Sequence, residues 1–282
     1  MHWKTKAAYF RVLGTIPFGS NLHFLAQRHI TRTWPRSAEH IKALVGVARK
    51  TINEFQTLSS LPLQSCTFFE IGAGRDLAVP LALRMLGVAN ILTTDIIRLA
   101  KLDLVNTAAR MVASELEMPA SKFESWSKLE AFGIRYAAPF KAATEDLPQI
   151  DAFVSNEVLE HVPPPALKAV FANVCRRMKP GAVSLHNIDY SDHYARDGGV
   201  SRYNFLQFSD DEWRPFNASM HYVNRLRHSE YVAIMSGAGF NVVSEEKYGE
   251  ELPPDLVLHP KFAAFEDADL KTMRSRISAI KR

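Results

Sequence analysis

Cysteine is nearly absent: the 282 residues hold only Cys66 and Cys175. Both sit inside apolar patterns, which excludes a disulfide framework and predicts buried thiols in a reducing, cytoplasmic setting. No apolar run approaches the roughly 20 residues of a membrane span. The opening Met1-His2-Trp3-Lys4-Thr5-Lys6 has neither a long apolar core nor a cleavage site, so no signal peptide is expected. Internal repeats and low-complexity segments are lacking. Acids are scarce at the start: residues 1–60 carry nine Lys and Arg against Glu39 and Glu54, a net +7 that leaves −3 for the rest of a chain of net charge +4. Such a basic extension suits nucleic acid, an anionic lipid surface, an anionic substrate, or simply a solvated helical cap. At 47% hydrophobic and 23% charged residues, the composition is that of an ordinary globular protein, long enough for one large domain plus an extension.

The most informative stretch is Thr67-Phe68-Phe69-Glu70-Ile71-Gly72-Ala73-Gly74-Arg75-Asp76. An apolar run meets two glycines, and a helical pattern at Leu77, Leu81 and Met85 follows. Strand, tight glycine turn and helix form the entry to a nucleotide-binding α/β unit. Glycine permits the turn and lets a ligand approach the backbone. A dinucleotide fingerprint wants a third glycine where Leu77 stands. The order acid-x-Gly-x-Gly resembles instead the first motif of class I S-adenosylmethionine (SAM) methyltransferases, with Asp76 in place of a common third glycine. SAM bears a sulfonium and an ammonium and no phosphate, so Asp76 is expected to repel a dinucleotide phosphate but not SAM.

Before this unit, residues 1–60 show helical periodicity broken at Ile16-Pro17-Phe18-Gly19-Ser20 and Trp34-Pro35-Arg36-Ser37, which predicts a helical N-terminal cap with Ser37 capping its last helix. After it, Asn90 to Asp95 reads as a second strand, 99–116 as a helix, Ile134 to Phe140 as a third strand and Asp151 to Ser155 as a fourth. Asp95 lies about 20 residues past the glycines, where such folds place the carboxylate for the ribose hydroxyls. Pro163, Pro164 and Pro165 open an amphipathic helix through Leu167, Val170, Phe171, Val174 and Met178. Lys179-Pro180-Gly181 ends it, and Ala182 to Ile188 is the fifth strand. Residues 189–227, rich in polar and aromatic groups, read as an insertion over the substrate or as a surface excursion with packing aromatics. A helix over 228–237, a strand from Phe240 to Tyr248, a helix over Glu266 to Arg274 and a strand from Arg276 to Ile280 complete the chain. Over residues 66–190 the succession of landmarks again resembles class I methyltransferases. The resemblance implies a Rossmann-like α/β fold: a seven-stranded, mostly parallel sheet with helices on both faces and a closing antiparallel pair. The expected domains are a cap over 1–60 and a methyltransferase domain over 61–282.

The same resemblance implies SAM contacts at Glu70, Gly72, Ala73, Gly74, Asp95, Ile96 and Asn156. In Ala142 to Pro148, Ala143 stands where relatives place an adenine-binding Asp, which leaves Glu145, Asp146 or backbone groups to replace it. After the fourth strand, Glu157-x-x-Glu160-His161 supports two readings. It is similar to the acid-x-x-acid-His segment of metal-using relatives, small-RNA terminal 2′-O-methyltransferases and ubiquinone-pathway O-methyltransferases. There Glu157, Glu160 and His161, with His193 or His186, would hold Mg, Mn or Zn. In the other reading no metal binds, His161 lies near the methyl group and Glu160 bonds the backbone. His193, just past the fifth strand, is a candidate base for an acceptor hydroxyl, oriented by Asp189 or Asp192; His186 lies inside the strand pattern and is expected to be packed. The expected activity is SAM-dependent O-methylation of a hydroxylated small molecule, sugar or glycan precursor. An RNA 2′-O-methyltransferase and a non-catalytic SAM-binding or partner-binding module are the alternatives. Nothing in the pattern sets an oligomeric state.

Overall fold

Buried apolar runs rather than alternating ones mark strands covered on both faces, and Ile150 to Ser155 is such a run, buried at every position. The computed structural model describes residues 2–197 and 199–282. One sheet contains β1 (Thr67–Ile71), β2 (Asn90–Thr94), β3 (Ile134–Ala137), β4 (Ile150–Asn156), β5 (Met178–Asp189), β6 (Phe240–Gly249) and β7 (Thr272–Lys281). Their order is β3-β2-β1-β4-β5-β7-β6. The first five run parallel, and β7 lies antiparallel between β5 and β6. This is the expected Rossmann-like sheet with its closing antiparallel pair. The order reverses between β1 and β4, which opens a crevice at their carboxyl ends, where open α/β sheets bind ligands.

The helices are α1 (Trp3–Thr15), α2 (Gly19–His29), α3 (Ala38–Leu58), α4 (Ala78–Met85), α5 (Leu102–Glu115), α6 (Trp126–Ala131), α7 (Pro164–Arg177), α8 (Asp210–Trp213), α9 (His228–Gly237) and α10 (Asp267–Lys271). Neighbouring strand residues point to opposite faces, so Phe68 enters one core with α3, α4 and α5 while Phe69 enters the other with α7 and α9. Ser37 caps α3, its side chain accepting from the His40 N–H. Ile41, Val45, Ala48, Ile52 and Phe55 place α3 in the main core. A third cluster joins Trp3, Ala7 and Phe10 of α1 to Tyr194, Tyr203, Phe205, Leu206 and Trp213 of the insertion. Several aromatics of the insertion therefore serve packing. Among the described residues no helix is long and apolar enough to cross a membrane.

β3 stops at Ala137, short of the expected Phe140, and α5 starts at Leu102 rather than at residue 99; the larger shifts lie at β5 and β7. β5 begins at Met178, directly after α7, and takes in Lys179-Pro180-Gly181; its register with β4 shifts between Ile150 and Ala152, and proline is tolerated at such an irregular strand start. β7 begins at Thr272, which confines the expected last helix to Asp267–Lys271. β7 pairs on both edges, and that pairing overrides weak local helical periodicity. The positive charge of residues 1–60 is partly matched within the chain: Arg28 pairs with Asp103 at 2.7 Å, Arg36 with Asp76 and Lys50 with Glu246.

Candidate active site

The turn after β1 brings two segments together. Gly72 and Gly74 have φ of 83° and 70°, angles that favour glycine. A Cβ at Gly72 would lie 2.1 Å from Val158 Cγ2, whereas one at Gly74 would meet nothing within 4 Å. The first glycine thus admits the segment after β4, and the second faces open space. The Gly72 and Ala73 N–H groups donate to Thr94 O at 2.8 and 3.1 Å. The Gly74 N–H donates to Asp95 Oδ2 at 3.0 Å, which fixes the acid at the lip of the turn. Burial pushes the Asp95 carboxyl up to about 7, against the Gly74 bond and the Arg75 charge. Beside it Ile96 is 76% exposed, an apolar surface suited to a flat ring. Asp76 is buried and ion-paired with Arg36. Its charge is matched, so the repulsion of a phosphate expected from the sequence is weakened, and the missing third glycine at Leu77 remains the feature against a dinucleotide.

Glu70 is buried and accepts a bond from the Thr93 hydroxyl. Burial raises its carboxyl from 4.5 to about 8. The folded chain therefore holds a proton that the unfolded chain releases near the ordinary value. This component of stability is full at low pH and is lost as pH rises towards 8. In Glu70→Gln, stability should fall less between about pH 5 and about pH 8.5 than in the wild type. Equal slopes of urea midpoint against pH would refute the assignment.

The acids expected to meet adenine are engaged elsewhere. Glu145 Oε1 accepts from the Lys141 N–H at 2.9 Å, and Asp146 pairs with Arg177. Asn173 Nδ2 donates to the carbonyls of Ala142 and Glu145 at 2.9 Å. Asn173 and Arg177 lie one turn apart on α7 and hold this loop from outside, a partnership that local sequence does not reveal.

Beyond β4, Asn156 Oδ1 accepts from Asn187 Nδ2 at 2.8 Å and ties β4 to β5. Glu160, His161 and His193 then converge, each offering a ligand atom within 4.8 Å of the others. Glu160 is 1% exposed and neither carboxylate oxygen has a hydrogen-bond partner among the described residues. Burial, reinforced by the Asp189 and Glu157 charges, pushes its carboxyl well above the usual range. An unpartnered buried carboxylate is costly, and a bound cation is the partner that fits. His161 keeps an exposed edge, but the protein around it pulls the ring down to about 4. Its Nδ1 lies 2.6 Å from Tyr222 O; a carbonyl only accepts, so Nδ1 carries the proton and Nε2 is free to ligate. His193 Nε2 lies 3.6 Å from Asp189 Oδ2 and 3.3 Å from Arg196 Nη2. Burial would raise Asp189, but the His193 ring beside it and the bonds from the Ser191 N–H and hydroxyl outweigh it and hold the carboxyl well below the usual range. Asp192 faces the Asn204 amide and the Tyr194 N–H instead, so Asp189 is the partner of His193.

Glu157 is not part of the cluster, which corrects its expected place among the ligands. Its φ of 53° and the bond of its N–H to Asn187 O turn the residue aside, and its side chain is 3.8 Å from Arg274. His186 is packed in the sheet between the Ser155 and Ser184 hydroxyls at 2.8 and 2.7 Å. The sequence reading missed Asn224, whose N–H and Nδ2 bond the carbonyls of Glu160, Leu159 and Val162, and His221, which stands beside His193 with ring centres 6.1 Å apart. Both lie in an irregular segment where no periodicity marks a face.

No protein-family model matches the sequence, and no curated protein matches it. Solved structures of similar chain path include a magnesium protoporphyrin IX methyltransferase from Synechocystis with bound S-adenosylhomocysteine, 12% identical, covering 94% of this chain and 96% of that one at TM-score 0.49. A SAM-dependent methyltransferase from Methanosarcina mazei is 15% identical, covering 81% and 96% at TM-score 0.48. The CurJ carbon methyltransferase is 15% identical at TM-score 0.45; 84% of this chain spans about half of that chain, 54%. At these identities the likeness concerns the fold alone.

Proposed function

We propose that the chain is a SAM-dependent O-methyltransferase in which Glu160, His161 and His193 hold a divalent cation at the acceptor hydroxyl. The observation that carries this reading is the buried Glu160 carboxylate without a partner beside two imidazoles, at the carboxyl end of β4 and against the glycine turn through Val158. When bound, the cation would lend Lewis acidity to an acceptor hydroxyl. Imidazole donors favour Mn or Zn over Mg. Gly74 and Asp95 would bind the backbone and ribose side of SAM, and Ile96 would cover the adenine. Asn224 would hold the Glu160 turn in place, and the cap and insertion would enclose the acceptor. A small hydroxylated acceptor or glycan precursor fits better than RNA, because Arg28, Arg36 and Lys50 of the basic cap are engaged within the chain. A cytoplasmic setting fits the two buried free thiols.

A second, metal-free reading makes His193 the base, with Asp189 stabilising its charged form; the Asp189–His193 contact favours it. Turnover that survives excess chelator would select this second reading.

The cofactor half is tested by calorimetry with S-adenosylhomocysteine. Wild type should bind, and Asp95→Ala should lose on the order of 1–3 kcal/mol. A wild type that ignores S-adenosylhomocysteine and binds NAD would sink the proposal. A product screen with SAM against glycans, phenols and RNA would identify the acceptor class.

A further inference from the structure

We propose that the hairpin of α1 and α2 docks on an anionic phospholipid bilayer, with Phe18 at its tip. Of fourteen exposed large apolar side chains among the described residues, seven fall between Tyr9 and Ile30. Val12 and Ile16 lie one turn apart at the end of α1, and Phe18, Leu22 and Leu25 follow at spacings of four and three along α2, which puts each set on one helix face. Phe18, in the bend, is 75% exposed, Leu22 and Leu25 are each 50% exposed, and Ile30 just past α2 is 79% exposed. The inward faces are already taken. Phe10 stacks flat on the His221 ring with centres 4.6 Å apart. Trp3 and Ala7 join the insertion in the third core cluster. Phe24 lies under the Arg75 guanidinium at 4.5 Å. The hairpin is thus held by its inner side, and an exposed apolar surface of this kind marks an interaction site.

Charge decides what covers it. Residues 1–38 hold six Lys and Arg and no acid. Arg28 and Arg36 pair with Asp103 and Asp76, whereas Lys4, Arg11 and Arg32 are exposed. Arg11 stands beside Val12, and Arg32 two residues past Ile30. Apolar side chains for the acyl boundary and a cationic rim for the headgroups are what a helix lying in a membrane interface requires. A second copy of the chain, docked by the same face about a two-fold axis, would set cations against cations. A nucleic acid would meet the cations and leave Phe18 and Leu22 in water. The hairpin also borders the crevice, through Phe10 on His221 and Phe24 on Arg75 of the glycine turn, so docking brings the site to the lipid surface.

The test is flotation of the full chain with vesicles of phosphatidylcholine alone and of phosphatidylcholine and phosphatidylglycerol in equal parts, at low and high salt, with gel filtration beside it. Neither SAM nor metal is needed, so the outcome is separate from that of the methyl-transfer reading. Wild type should float with the anionic vesicles, and high salt should release part of it. Phe18→Asn with Leu22→Gln should bind at least about 10-fold more weakly, since burying one such side chain is worth about that factor. Asn accepts the left-handed φ of 62° at residue 18, and melting temperature checks that the variants fold. Arg11→Glu with Arg32→Glu should lose the preference for anionic vesicles. A wild type that floats with neither vesicle would overturn the proposal, and so would undiminished binding in Phe18→Asn with Leu22→Gln. Undiminished preference for anionic vesicles in the charge-reversed variant would overturn the role of the cations. A wild type that ignores both vesicles and elutes as a dimer, dissolved in Phe18→Asn with Leu22→Gln, would give the face to a second copy instead.

Discussion

On the proposed cation reading, Glu160→Gln should abolish metal binding while leaving the metal-free protein at least as stable as the wild type. The carboxylate is 1% exposed and neither oxygen is paired among the described residues. Burying an ionised carboxylate without partners is so costly that the group takes up a proton instead. Gln has nearly the same shape and never carries the charge, so the stripped variant loses nothing that the stripped wild type has. With metal the order reverses. Wild type gains stability from any ion that binds only the folded state, and the variant gains none. Metal-dependent turnover should fall at least about 10²-fold, since ligand loss should exceed the roughly 10–100-fold cost of losing an outer-shell partner. Melting temperature in chelator and in Mn(II), read beside metal content, checks both halves. A chelated variant less stable than chelated wild type by more than about 2 kcal/mol would make Glu160 a structural acid with a hidden partner.

Arg227→Met should be the most destabilising single change outside the cores. Arg227 is fully buried at the start of α9. Its guanidinium donates to the carbonyls of Tyr190, Asp269, Leu270 and Thr272. Two of these belong to the last turn of α10, where carbonyls have no partner within the helix. One side chain therefore joins the end of β5, the start of α9 and the entry to β7. Met fills much of the volume but takes the donor from the carbonyls of Tyr190, Leu270 and Thr272, each worth about 1–3 kcal/mol before relaxation, while Asp269 O keeps the Thr272 N–H. Relief of the buried charge, whose Nε has no partner among the described residues, offsets part of that. The net loss should be about 3–5 kcal/mol by denaturant unfolding. A loss under about 1 kcal/mol would mean that water replaces the guanidinium.

By itself the sequence determined the order of strands and helices through β5 except α6, whose stretch showed no clear pattern, as well as the glycine turn at Gly72 and Gly74, the acid at Asp95, and the concentration of chemistry around Glu160, His161 and His193. These are local signals. Strands covered on both faces read as apolar runs, Pro164 and Pro165 open α7, and a turn of unusual φ demands glycine within a few positions. The end of the chain was less legible, because β7 is long only by virtue of pairing with β5 on one side and β6 on the other. At the site, spacing gave Glu157 the same standing as Glu160. The structure separates them: a left-handed φ at Glu157 and a bond to Asn187 turn one acid outward, while the turn held by Asn224 buries the other. Glu145 and Asp146 were legible as acids, but Asn173 and Arg177, which engage their loop, sit about 30 residues away. Asp76 looked repulsive until Arg36 of the cap was seen against it. Tertiary structure alone brought His221 beside His193 and placed Phe10 flat on its ring. Periodicity reports which face of an element is buried, whereas a cluster drawn from a cap helix, a post-strand turn and an irregular insertion is set by packing between segments far apart in the chain.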